Sequence, residues 1–249
     1  MEQSDKKIIS SFEIQNELNP EIWVFDGENY KMKPEIREAL LEIVEDYINF
    51  TNLDVDIEDV TLTGSLSNFN WSEFSDVDLH ILVDFPTDPS SLLKKYLDSR
   101  RIIWNSIRDV TVKDFDVEVY AQDTSEPHFA SGVYSVLYDE WIVEPQQDDE
   151  VVIDTKKLLT KAKLWMDKID RIEDDAKRVE PEEMFDRIEK LKKKMKKYRS
   201  SGLKDEGEYS YENLTFKFLR RNNYLKKIND VRNTLIDKTL TVEEKVSAI

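Results

Sequence analysis

The chain has 249 residues, a mass of 29.4 kDa and a net charge of −17, from 36 Lys+Arg against 53 Asp+Glu. It has no Cys and only two His, His80 and His128, which excludes a disulfide framework, a thiol nucleophile, a Cys-ligated zinc site and a three-histidine metal site. No stretch approaches the roughly 18 apolar residues of a membrane span, and the opening MEQSDKKIISSFE lacks the apolar core of a signal peptide, so a cytoplasmic protein with no membrane partner is expected.

Residues 1–33 read as irregular, punctuated at Asn19-Pro20 and Asp26-Gly27. Pro34 opens a helix over 34–50, with Ile36, Leu40, Ile43, Val44, Tyr47 and Ile48 at helical spacing. DVTLT at 59–63 reads as a strand that ends at Gly64-Ser65, followed by the polar stretch LSNFNWSEFS. Residues 76–84 alternate as a strand, with Val77, Leu79, Ile81 and Val83 on one face and Asp76, Asp78, His80 and Leu82 on the other. Past Pro86 and Pro89, a helix over 90–108 is predicted to face Leu92, Leu93, Tyr96, Leu97, Ile103 and Ile107 inward. Residues 111–120 read as a further strand, and 129–143 as one or two strands around Gly132. Helices are predicted over 155–177, 181–199 and 211–236, with breaks at Ser200-Ser201-Gly202 and Gly207 and an N-cap at Ser210.

Pro145 and the acidic run from Asp148 to Glu150 mark a boundary between a mixed α/β domain, 1–150, and a helical domain, 151–249. Charge divides at the same place: residues 1–150 carry 11 Lys+Arg and 34 Asp+Glu (net −23), residues 151–249 carry 25 and 19 (net +6). An acidic part suits hard cations and a basic part suits phosphate or nucleic acid. The overall acidity argues against duplex DNA as a partner, sequence-specific or not.

Three features of the first part carry chemistry. A strand runs into Gly64-Ser65, Asp76 and Asp78 follow on an alternating strand, and Asp116 and Glu118 alternate on a later one. Carboxylates at i and i+2 of a strand share a face, ~6–7 Å apart. Their mutual repulsion makes a divalent cation the natural reason to place them together. A third carboxylate from a neighbouring strand would complete a site for two Mg2+, with Mn2+ as a substitute. The Gly-Ser turn would meet a phosphate with backbone N–H groups and a hydroxyl.

The run LTGSLSNFNWSEFSDVDLHI, with FDVEVY as a third acidic strand, resembles the signature of the nucleotidyltransferase superfamily that includes DNA polymerase β. The segments ELNPEIWVFDGENYKMKPEIREALLEI, RRIIWN, DVEVYAQD, HFASGVYSVLYDEWIVEP and YSYENLTFKFLRRNNYL are similar to predicted nucleotidyltransferases of tailed bacteriophages. The resemblance implies an α/β fold with a nucleotidyltransferase-type mixed sheet and a C-terminal helical region, in the host cytoplasm if phage-encoded. It implies Mg2+-dependent transfer of a nucleoside monophosphate from a nucleoside triphosphate such as ATP to a hydroxyl, releasing pyrophosphate. The acceptor would be an RNA end, a protein side chain or a second nucleotide. Asp76 and Asp78 would hold both metals, with Glu118 favoured over Asp116 as the third ligand and as a helper in deprotonating the acceptor. Gly64 and Ser65 would hold the β- and γ-phosphates. Lys217, Arg220 and Arg221 are candidate triphosphate contacts, because the helical part of this superfamily closes over the nucleotide. The segment Ser67-Asn68-Phe69-Asn70-Trp71 departs from the pattern, lacking the second Gly and the basic or small residue of many relatives. The alternative is a non-catalytic, antitoxin-like protein binding nucleotide or a partner on the same fold.

Other residues have plainer readings. His80 and His128 read as structural. Lys94, Lys95, Arg100 and Arg101 read as mostly solvated helix cations, and KLKKKMKKYR (Lys190 to Arg199) as a solvated face with an RNA-backbone contact as its alternative. Trp104, Trp141 and Trp165 read as core. Trp71 lies in the motif loop, where a base could stack.

Overall fold

The computed structural model describes residues 3–84, 92–126, 130–147 and 152–241. In chain order its elements are α1 (Gln3–Ser10), β1 (Trp23–Phe25), β2 (Tyr30–Met32), α2 (Pro34–Thr51), β3 (Ile57–Thr63), β4 (Val77–Val83), α3 (Leu92–Ile107), β5 (Thr111–Val112) and β6 (Phe115–Asp123). Then come β7 (Val133–Ser135), β8 (Glu140–Val143), α4 (Thr155–Asp175), α5 (Pro181–Glu206), α6 (Tyr211–Arg221) and α7 (Tyr224–Leu240). Contacts divide the chain into two units, Ser11–Glu150 and a second made of Met1–Ser10 with Val151–Ile249. None of the described helices is long and apolar enough to cross a membrane.

The Ser11–Glu150 unit is mixed α/β. Its six-stranded sheet has the order β5-β6-β4-β3-β7-β8. β4 and β6 are parallel, joined by the crossover that contains α3, and the other pairs are antiparallel. Alternation on β4 sorts the sheet's two faces: Val77, Leu79, Ile81 and Val83 are buried, whereas Asp78 and His80 are half-buried on the other side. The buried row shares one core with Ile36, Leu40, Val44 and Tyr47 of α2, whose steps of four, four and three residues keep them on one helix face. Pro34 sits in the first turn of α2, where no N–H is required, and Asn52 closes the helix in the left-handed region at φ 55°.

Several expectations are corrected. The first 33 residues are not irregular: α1 buries Ile8 and belongs with the helical unit, and β1 and β2 form a hairpin around Asp26-Gly27. The strand expected over 111–120 is a tight hairpin, β5 and β6, turned at Lys113 (φ 52°) and Asp114 (φ 65°). Two left-handed residues make the turn whose twist suits a two-residue hairpin, but neither is the Gly or Asn that would announce it. On α3 the buried residues are Leu97 and Trp104, while Leu92, Tyr96, Ile103 and Ile107 are exposed rather than inward. Residues 85–91, with Pro86 and Pro89, lie outside the described residues, as do His128 and the acidic run 148–150.

The second unit packs its helices around Trp165, Ile169, Met184, Ile188, Met195, Leu219, Ile228 and Leu235. Helix α4 is capped by Asp154, which accepts from Lys157 N–H at 3.0 Å, and α6 by Ser210, which accepts from Asn213 N–H at 3.3 Å. Ser200-Ser201-Gly202 does not break α5, which ends only at Gly207. Gly202 is there for close packing: a Cβ on it would lie 2.4 Å from Glu212 Cβ. The helix expected over 211–236 is two helices, divided at Asn222-Asn223, where Asn223 takes φ 61°.

Candidate metal centre

Strand register assembles the acidic group. Antiparallel pairing sets Thr63 of β3 beside Asp78, and parallel pairing sets Asp78 beside Glu118 of β6. Asp76 lies one residue before β4. Each of Asp76, Asp78 and Glu118 offers a carboxylate oxygen, and these three oxygens lie within 4.8 Å of one another, all half-buried. Three negative charges at that spacing repel strongly where water is partly excluded. The donor set, all carboxylate oxygen with no sulfur or imidazole, suits a hard divalent cation such as magnesium, manganese or calcium.

Between the two acidic candidates on β6, Glu118 joins this group and Asp116 does not. Asp116 is exposed beside the hairpin turn, paired with Thr111. Asp116 and Glu118 share a strand face, so alternation could not separate them; the register with β4 does.

The turn after β3 is bound to this group. Gly64 has φ +79° and ψ −158°, a region essentially reserved for glycine. A Cβ there would stand 2.1 Å from Asp78 Oδ2. A 3-10 turn, Ser65–Ser67, follows directly. It is pinned from several sides: Ser67 Oγ bonds the Gly64 and Gly132 carbonyls at 3.0 and 2.9 Å, and Trp23 Nε1 donates to the Leu66 carbonyl at 2.7 Å. Ser65 Oγ donates to Ser75 Oγ at 2.7 Å, and Ser75 Oγ also accepts from Ser72 N–H at 3.0 Å. The Ser65 hydroxyl therefore ties the turn to the residue before Asp76, a role the sequence did not suggest.

A second polar row lies one step along the sheet. Thr61, His80 and Tyr120 are neighbours on β3, β4 and β6. The Tyr120 hydroxyl donates to Glu118 Oε2. Burial, followed by that hydrogen bond and the Glu118 and Asp78 charges, holds the phenol well above its ordinary range. His80 stacks on the Tyr120 ring at 5.1 Å, and its Nδ1 lies 2.7 Å from Gln122 Oε1. The Arg101 guanidinium lies over the Tyr120 ring at 4.8 Å. Tyr120 was missed at the sequence level, although its place two residues after Glu118 on one strand face was a usable signal.

The remaining candidates lie on other elements. Lys217, Arg220 and Arg221 are on α6 of the helical unit. Burial lowers the Lys217 pKa, Glu208 raises it, and the neighbouring charges of Arg221, Arg220 and Arg199 lower it further. Lys94 is paired with Glu126, and Arg100 bonds the Phe50 carbonyl with its guanidinium 3.9 Å above the Phe50 ring. Trp71 donates to the Glu17 carbonyl at 2.8 Å and packs against the core, while Trp104 and Trp165 are buried.

No protein-family model matches the chain, and no curated protein and no solved structure is significantly similar to it.

Proposed function

We propose that the Ser11–Glu150 unit is a magnesium-dependent nucleotidyltransferase that moves a nucleoside monophosphate from a nucleoside triphosphate to a hydroxyl. The observation that carries this reading is the acidic group itself: Asp76, Asp78 and Glu118 converge within 4.8 Å, directly beside the Gly64 turn. Bound divalent cations would neutralise the triphosphate and lower the pKa of the attacking hydroxyl.

The chain's own contribution is positioning and charge. Asp76 and Asp78 would hold the cations through their carboxylate oxygens. Glu118 accepts the Tyr120 hydroxyl at Oε2, which fixes the carboxylate plane. The missing Cβ at Gly64 makes room for the Asp78 carboxylate against the turn, and the backbone N–H groups of Gly64 and Ser65 would meet phosphate oxygens beside it. In the reaction the acceptor oxygen bonds to the α-phosphorus as the bond to the β-phosphate oxygen breaks. The acceptor proton passes to a carboxylate and then to water, and pyrophosphate leaves.

The test uses α-labelled triphosphates of all four bases with magnesium, offered an oligoribonucleotide, a mixed protein fraction and free nucleotides as acceptors. Label transfer with stoichiometric pyrophosphate, lost in Asp76→Asn/Asp78→Asn, is expected. Transfer that survives in the double variant, or none with any base and acceptor, would overturn the reading.

A further inference from the structure

The helical unit carries a cleft lined by none of the residues to which the proposed transfer gives a role. It has a volume of about 680 Å3 and lies along one face of α5, closed by side chains of α6 and α7. Lys192, Lys193, Lys196 and Arg199 line it over an apolar floor that includes Met195 and Phe216. One acidic residue, Glu189, reaches the rim, and it is engaged by Arg232 at 3.3 Å. Lys192 donates to Asn229 Oδ1 at 3.0 Å. Among the described residues, Lys193 and Lys196 are exposed and have neither ion pair nor hydrogen bond.

We propose that this cleft binds single-stranded nucleic acid, phosphates along the lysines and a base against Arg199. Cationic positions at 192, 196 and 199 advance about one helical turn at a step, roughly 5 Å, which lays charge in a line along the groove. The Arg199 guanidinium lies 4.5 Å above the Phe216 ring, and its Nε donates to Asn213 Oδ1 at 3.0 Å, so its plane is held in place. A fixed guanidinium plane is a stacking surface for a base. The apolar floor likewise suits a base and is superfluous for inorganic phosphate. The excess of positive charge in residues 151–249, within a chain of net −17, concentrates polyanion attraction on this unit. The inference rests on the transferase reading only in casting the strand as the acceptor.

Fluorescence anisotropy of the full-length protein, with a labelled oligouridine 12-mer or oligothymidine 12-mer and without magnesium or triphosphate, separates the two claims. Three phosphate contacts, one for each lysine of the cleft, predict about an 18-fold loss of affinity between 50 and 200 mM salt. Lys193→Ala/Lys196→Ala is expected to bind at least tenfold more weakly at low salt and to lose only about threefold across that range. Lys190→Ala/Lys194→Ala removes the same charge from lysines outside the cleft and is expected to bind as wild type. Equal losses in the two variants would mean diffuse charge and overturn the proposal, as would no binding of either oligomer. Tighter binding of a 12-bp duplex or of polyglutamate would also overturn it, the latter pointing to an acidic protein instead. Preference for the uridine oligomer supports it and assigns RNA, preference for the thymidine oligomer supports it and assigns single-stranded DNA, and equal binding supports it with either strand accepted.

Discussion

Replacing Gly64 by alanine should separate what stability needs from what the acidic group needs. Two costs are visible. A residue with a Cβ at φ +79°, ψ −158° is strained by about 1–3 kcal/mol. The new methyl would also stand 2.1 Å from Asp78 Oδ2, so the carboxylate must retreat by about 1 Å. That carboxylate ends a short side chain and can swing away, so the fold survives. Its new position, however, exceeds the ~0.5 Å tolerance of a preorganised site. Gly64→Ala should therefore lose about 2 kcal/mol, or about 4–8 °C in Tm, and about 10- to 100-fold in Mn2+ affinity. Calorimetry and Mn2+ titration by electron paramagnetic resonance read the two effects. In an Asp78→Ala background the clash is absent and only backbone strain remains, so a double-mutant cycle should show at least about 0.5 kcal/mol of coupling. A loss below about 0.5 kcal/mol with unchanged Mn2+ affinity would refute the reasoning.

Further outcomes follow from other positions. Tyr120→Phe leaves Glu118 Oε2 without its donor and should weaken Mn2+ binding about tenfold with little change in fold, read by the same titration. Gly202→Ala forces α5 away from Glu212 and should cost the helical unit about 1–3 kcal/mol by denaturant titration, with Mn2+ binding at the acidic group unaffected. The Asp26 carboxyl accepts from the N–H groups of Asn29 and Glu28 and pairs with Lys31, which lowers its pKa from 3.8 to about 2. Its stabilisation is therefore complete above pH 3.8 and lost as pH falls towards 2; thermal melts of Asp26→Asn should lose that part of the acid dependence.

What could be read from the sequence, and what could not, divides by the range of the interaction. The alternation DVDLHILV sorts Asp78 and His80 from the core without tertiary information, and Gly64-Ser65 marks the turn. The choice of Glu118 over Asp116 needs the β4–β6 register, which side-chain alternation within one strand does not contain. The 113–114 turn and the Asn222-Asn223 break both use left-handed non-glycine residues. Weak breakers were overrated at Gly202, where close packing with Glu212 explains the glycine. The exposed apolar residues of α3 show the same limit: a helical period gives a stripe, and burial of Leu97 and Trp104 is decided by what packs against the helix.

Asp76, Asp78 and Glu118 should together hold a divalent cation. The most direct measurement is the Tm of wild type and Asp76→Asn/Asp78→Asn, with and without Mn2+ at ~100 times its dissociation constant. In the wild type the bound ion should add about 2.7 kcal/mol. The double variant, relieved of clustered charge, should melt no lower than wild type without metal and show no metal-dependent shift. A shift of equal size in both proteins would contradict the account.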